Sequence, residues 1–327
     1  MTLWTVHHDL RAPEFGTPAD RLYRAALEIS QWADEHGASG IVVSEHHGSA
    51  DGFLPSPLTM AAAVAARTRH VTITVSALIL TLRDPIATAE DAIVVDILSG
   101  GRLIVVLAPG YVPGECEMFD IDFDRRGEIF EEKTAVFLRA LSGEKFEYRG
   151  RTVHVTPQAI QRPRPVVMMG GAAPKRAARL ADGYVPATGD RALADAYLAE
   201  RRRLGKPAGI VGRSGGPQWV FVTEDPDRAW ARLAPHVLHE ANAYGAWSAA
   251  APGASPFAVF ENVDQVRRSG LFAVVTPAEC IDLTRSGTQP ANVVFKPLVG
   301  GLDPEIGWES LQLFVDRVLP EITGKES

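Results

Sequence analysis

The chain has 327 residues, 46% of them hydrophobic, and a formal charge of −7 at neutral pH. That length suits one large α/β barrel, which commonly takes about 250 residues plus insertions. A pI near 5.7 and the lack of a dense basic run argue against nucleic acid as a partner, and two cysteines are too few for a disulfide framework.

The cysteine usage fits a reducing compartment. Residues 1–8 have neither the basic start nor the long apolar core of a signal peptide. No apolar run approaches the length that crosses a bilayer. The expectation is a cytoplasmic protein with no membrane contact, forming one domain over residues 1–327.

Short apolar runs alternate with longer amphipathic segments. Residues 3–6 read as a strand and 18–36 as a helix, with Leu22, Ala25, Ala26, Ile29 and Ala33 on one stripe and Thr17 or Asp20 as its cap. Strand 40–43 and helix 56–69 follow, then strand 71–80, helix 85–98 closed by Ser99-Gly100-Gly101, and strand 102–107. Gly110-Tyr111 and Pro113-Gly114 read as a flexible loop. Residues 125–141 form a helix, and 145–148 with 152–155 a hairpin excursion spanning roughly 144–156. The alternation resumes with strand 165–169, helix 174–181, strand 183–186, helix 191–204, strand 218–222 and helix 225–241. Residues 244–270, rich in Ala, Gly, Ser and Pro, read as an inserted loop that covers the barrel mouth. Strand 292–298 and helix 308–318 end the series.

That makes about eight strand–helix units. Near-continuous apolar strands indicate a parallel sheet covered on both faces, and eight repeats favour closure into a (β/α)8 TIM barrel with inserted loops. A doubly wound open sheet is the competitor, weakened because no Gly-x-Gly-x-x-Gly follows the first strand.

Reactive groups of such barrels sit at the carboxyl ends of the strands. Those ends supply His7-His8-Asp9, Glu45-His46-His47, Ser76-Ala77, Ala108-Pro109-Gly110-Tyr111, Gly170-Gly171-Ala172, Pro186-Ala187-Thr188, Thr223-Glu224 and Lys296-Pro297. Adjacent His7 and His8 point to opposite faces of a strand, and later strand ends add no histidine, so no metal site is expected. Neither cysteine lies at a strand end and no Gly-x-Ser-x-Gly elbow is present, which disfavours a nucleophilic mechanism. Acid–base work by one histidine beside a redox cofactor fits better. Gly170-Gly171, leading into a helix, allow backbone N–H groups close to a phosphate. Arg11 reads as a surface salt-bridge residue, with an anionic substrate group as the alternative.

Several segments together resemble the luciferase-like flavin monooxygenase family, the fold of the bacterial luciferase α chain. They are Ser44-Glu45-His46-His47, Asp51-Gly52-Phe53-Leu54-Pro55-Ser56-Pro57, Asp84-Pro85 with Ala89-Glu90-Asp91, Asp96-Ile97-Leu98-Ser99-Gly100-Gly101-Arg102, Gly110-Tyr111 and Gly170-Gly171. The resemblance covers nearly the whole chain. It implies a bacterial luciferase-like barrel that takes reduced FMN from a separate flavin reductase and uses O2 to oxygenate a small organic substrate. His46 would be the catalytic base, with Glu45 or a backbone group orienting its ring. Ser76-Ala77 would match a non-proline cis peptide beneath the flavin ring. Gly170, Gly171 and Ala172 would match the phosphate turn.

Ala108 and Pro109, next to Gly110, stand where luciferase has a cysteine and an arginine, so light emission is not expected. Substrate would enter past His8, His47, Tyr111 and the 244–270 insertion. The glycine turn also resembles relatives that use the deazaflavin F420 for hydride transfer. Those relatives often carry Ser-Asp-His, and the Ser44-Glu45-His46 of this chain tilts the cofactor to FMN. A catalytically silent flavin-binding barrel is a third reading. A homodimer is expected by analogy.

Overall fold

The computed structural model describes residues 3–187, 190–212, 217–249, 251, 257–285 and 292–324. Its first half runs β1 (Leu3–His8), α1 (Ala19–Glu35), β2 (Gly40–Val43), α2 (Pro57–Arg67), β3 (Thr72–Ile79), α3 (Pro85–Ser99), β4 (Leu103–Ala108), α4 (Pro113–Met118), α5 (Arg126–Leu141), β5 (Phe146–Tyr148) and β6 (Arg151–Val153). The second half runs β7 (Val166–Gly171), α6 (Pro174–Leu180), β8 (Gly183–Pro186), α7 (Arg191–Arg203), β9 (Ile210–Val211), β10 (Trp219–Val222), α8 (Pro226–Ala249), α9 (Val263–Arg268), β11 (Phe272–Val275), α10 (Pro277–Arg285), β12 (Asn292–Phe295), α11 (Pro304–Arg317) and α12 (Leu319–Thr323).

Eight of these strands form one curled parallel sheet in the order β12-β1-β2-β3-β4-β7-β8-β9. The apolar runs explain it: Ile41, Val43, Ile73, Val75, Leu103, Val105 and Val167 are all fully buried, as strands covered on both faces must be. Chain-local signals set the helices between them. Asp84 accepts from the Ile86 and Ala87 N–H groups at 2.9 Å, Pro85 opens α3, and Gly100 closes it in the left-handed conformation. Behind β1, Trp4 meets Phe314 and Phe295 edge-on, with ring centroids 5.6 and 6.0 Å apart. The α/β barrel architecture is therefore the one the strand–helix alternation predicts.

Several local expectations need correction. Neither Thr17 nor Asp20 caps α1; Pro18 stands at the cap with no side-chain bond. The 244–270 segment is not a loop throughout, because α8 runs on to Ala249 and α9 occupies Val263–Arg268. The strand and helix β11 and α10 went unread. Strand β10 pairs in parallel with β11, apart from the main sheet, and packs beside β12. Trp219 at its start and Gln218 just before it reach the central cavity, whereas Glu224 beyond its far end pairs with Arg317 in the last turn of α11. Thr223-Glu224 thus do not belong to the rim. Thr188 lies outside the described residues. The expected hairpin is present as β5 and β6, a separate antiparallel pair. No helix among the described residues is long and apolar enough to cross a membrane.

Candidate active site

The carboxyl ends of β1, β2, β3, β4, β7, β8 and β12 surround one cavity of about 750 Å³, within the usual size for small-molecule sites. Its wall includes Glu45, His46, Ser76, Ala77, Ala108, Pro109, Gly110, Tyr111, Gly170, Gly171 and Ala172. Much of it is built from residues with little or no side chain. Gly171 has φ +119, a conformation that L side chains rarely adopt, and its carbonyl accepts the Tyr184 hydroxyl at 2.5 Å. A Cβ at Gly110 would stand 2.9 Å from Ile79 Cγ2. The Ser76–Ala77 peptide is cis.

His46 is buried at the cavity edge, and its Nδ1 lies 2.8 Å from Glu115 Oε1. The same oxygen accepts the His47 backbone N–H at 2.8 Å. The carboxylate therefore accepts the Nδ1–H, and Nε2 has no hydrogen-bond partner among the described residues. Four rings hold the imidazole: Trp247 (centroids 4.2 Å apart), Phe53 (4.9 Å), Tyr111 (5.6 Å) and Tyr244 (5.8 Å). Trp247 and Tyr244 come from the last turns of α8, part of the segment expected to cover the mouth.

Glu45 does not orient His46. Its Oε1 accepts from Arg83 Nε at 2.8 Å and from His47 Nε2 at 2.8 Å, while Oε2 accepts the Ile79 N–H at 2.6 Å. It is an anchor between strand ends, and the orienting carboxylate is Glu115. His47 and His8 do not line the cavity. His47 is turned to Glu45 and the ring of Phe119. His8 points out of the barrel and bonds Ser30 of α1 at 3.1 Å, fully buried. Strand alternation is the reason: with His8 outward, His7 faces in.

His7 lines the cavity, with Nε2 2.6 Å from Ser44 Oγ. Burial, and then the charge of Lys296, push its pKa down to about 3. Lys296, just beyond β12, also lines the cavity; it donates to Asp9 Oδ2 at 3.0 Å and to Glu240. Burial opposes its charge, but Asp9 and Glu240 outweigh that and hold the ammonium above its ordinary range. Burial raises the Tyr111 hydroxyl, with Tyr244 and Glu115 adding to it, so Tyr111 stays a neutral phenol.

Arg11 is not a surface residue. It is fully buried, 2.5 Å from Asp51 and 3.8 Å from Asp9, with its guanidinium 4.7–4.8 Å from the rings of Phe53, Tyr244 and Trp247. Asp51 is in turn bonded to His239 at 2.8 Å. Arg126, the first residue of α5, lines the cavity as a second cation, held over the Phe123 ring at 3.8 Å.

Glu115, Arg126 and Glu240 were missing from the sequence-derived site, and His7, Ser44, Tyr244 and Trp247 had no role assigned in it. Only His7 and Ser44 had a local signal, the two-residue period of β1 and the carboxyl end of β2. Arg126, Glu240 and Tyr244 reach the cavity from helices, while Glu115 and Trp247 stand against His46.

The sequence profile of the luciferase-like monooxygenase family matches residues 1–286. A curated relative, 4-hydroxyprotoasukamycin monooxygenase of Streptomyces nodosus subsp. asukaensis, is 26% identical over 326 residues, covering 91% of this chain and 86% of that protein. The FMN complex of the oxygenating constituent of 3,6-diketocamphane monooxygenase, a type II Baeyer–Villiger enzyme from the CAM plasmid of Pseudomonas putida, superposes with a TM-score of 0.73 at 16% identity. That match covers 98% of this chain and 99% of the other. The coenzyme F420 dependent tetrahydromethanopterin reductase of Methanopyrus kandleri superposes at 0.61 with 16% identity, over 98% of this chain and 99% of its own. By profile and by fold, this chain belongs to the luciferase-like monooxygenase family.

Proposed function

We propose that the protein is the oxygenase of a two-component, FMN-dependent monooxygenase acting on a small organic substrate. The observation that carries this reading is the meeting of the His46–Glu115 pair and the side-chain-free Gly170–Gly171 wall around one cavity. The fit to FMN is good. Ser76, Ala77, Ala108, Pro109 and Gly110 offer a smooth wall to a planar ring, and the Gly170, Gly171 and Ala172 backbone with Arg126 offers donors to a phosphate. When bound in its reduced form, FMN supplies the electrons with which O2 is activated.

The chain's own residues then manage protons and water. His46 Nε2 takes a proton from substrate or water, and Glu115 stabilises the imidazolium that results. The rings of Phe53, Tyr111, Tyr244 and Trp247 exclude bulk water from that nitrogen. Glu45 keeps the wall in register without touching the reacting groups.

The Pseudomonas putida neighbour is described as an oxygenating constituent, which supports a separate reductase as partner. Val94, Ile97 and Leu98 leave an exposed apolar stripe on α3, which supports a homodimer, since such stripes on soluble proteins are commonly covered. Gel filtration with light scattering measures that state.

F420-dependent hydride transfer is the second reading, favoured by the glycine turn and the Methanopyrus kandleri likeness. Anaerobic titration with reduced FMN and with reduced F420 separates the two. Tight binding of the deazaflavin alone overturns the FMN assignment. Incorporation of ¹⁸O from labelled O2 into product, across a panel of ketones and phenols, tests oxygenation itself.

A further inference from the structure

His7 and His46 both stand on the cavity wall, and hydrogen bonds settle which nitrogen of each carries its proton. Ser44 Oγ lies 2.7 Å from the Ser76 carbonyl oxygen and 2.6 Å from His7 Nε2. Two oxygens approach that closely only with a proton between them, and a carbonyl has none to give. The one hydroxyl proton of Ser44 is therefore committed to Ser76. The proton in the His7–Ser44 bond must belong to His7 Nε2. A neutral imidazole has a single N–H, so His7 Nδ1 is a bare lone pair.

No side chain among the described residues bonds that Nδ1, and it is not among the buried polar atoms left without a partner. It is open to the cavity that His7 lines. His46 differs in one respect. Glu115, a carboxylate, stands behind it, whereas near His7 the charge of Lys296 opposes a second proton more strongly than Asp9 favours one. His7 is built to stay as it is.

We infer that His7 Nδ1 is a fixed hydrogen-bond acceptor that selects ligands presenting an N–H or O–H donor to the cavity. Two sources fit this chemistry. Reduced FMN has a ring N–H that oxidised FMN lacks, and a hydroxylated substrate brings its own O–H. The first source rests on the FMN reading above; the second does not.

The test compares wild type with His7→Phe and Ser44→Ala, each checked for folding by circular dichroism. The full chain is titrated anaerobically with reduced and with oxidised FMN. In a second arm it is titrated with 2-naphthol and 2-methoxynaphthalene, in which a methyl group replaces the hydroxyl proton. Wild type should favour the donor-bearing partner of at least one pair, and His7→Phe should erase roughly tenfold of that preference. Loss in the flavin arm assigns the acceptor to the ring N–H, and loss in the naphthol arm to a substrate hydroxyl. Ser44→Ala keeps the imidazole but frees its tautomer, so the preference should fall there too, which a packing role would not produce. If His7→Phe does not fold, Ser44→Ala decides alone. An undiminished preference in the folded variants, or none in wild type in either arm, overturns the assignment. Failure of the FMN reading shows separately, as wild type binding FMN in neither redox state.

Discussion

Replacing His8 with phenylalanine should flatten the acid side of the stability profile. His8 is fully buried against α1, its Nε2 on Ser30 Oγ at 3.1 Å, while Ser30 gives its own proton to the Ala26 carbonyl at 2.6 Å. Its Nδ1 is buried with no partner. Burial lowers its pKa from an ordinary 6.5 to about 4, against the opposing pull of Asp9. Above the unfolded value neither state binds a proton at this site, and folding carries no penalty. Below it the unfolded chain takes up a proton that the folded chain refuses, so stability falls by about 1.4 kcal/mol per pH unit until the folded pKa is reached. At about pH 5 the loss is about 2 kcal/mol from His8 and about as much again from His7. Urea unfolding of wild type and His8→Phe at about pH 8 and about pH 5 measures it by linear extrapolation. The variant should lose about 2 kcal/mol less than wild type on acidification, and whatever the substitution costs at the higher pH cancels in the difference. Equal acid losses would refute a neutral, buried His8.

Three further outcomes follow from the site. Glu115→Gln keeps the shape and an acceptor oxygen but exchanges a charge-assisted hydrogen bond for a neutral one, so turnover should fall about tenfold with little change in the affinity for reduced FMN. Unchanged turnover in single-turnover kinetics removes Glu115 from the proton path. Arg126→Ala should weaken FMN by about tenfold or more yet leave riboflavin, which has no phosphate, nearly unaffected; equal losses by fluorescence titration would place Arg126 away from the phosphate. Burial raises both thiols, joined by Glu115 at Cys116 and reaching about 12 at Cys280. A thiol-reactive dye should label neither cysteine in the native chain and both in urea, and prompt native labelling contradicts the buried placement.

The barrel was legible because its information is local and periodic. Runs such as Gly40–Val43 and Leu103–Ala108 between helices leave few alternatives, and the short-residue walls at Ala108-Pro109-Gly110 and Gly170-Gly171 are contiguous in the chain. What escaped was settled by packing. Glu115 lies 69 residues from the histidine it orients, on a six-residue helix that Pro113-Gly114 disguised as a loop. Glu45, beside His46 in sequence, spends its oxygens on Arg83, His47 and Ile79 instead. Arg11 looked like a surface cation because nothing near it in sequence announces the rings that enclose it. Strand β10 was found, but its direction was not, since an apolar run carries no arrow.

Glu45 has a consequence for anyone reshaping this enzyme. It works as a keystone, joining the exits of β2 and β3 through a single carboxylate that is only 3% exposed. An inactive Glu45 variant would report a collapsed arch, although its position next to His46 invites a chemical interpretation. New substrate scope is better sought at Tyr244, where one helix reaches the chamber wall and the masonry of the barrel stays untouched.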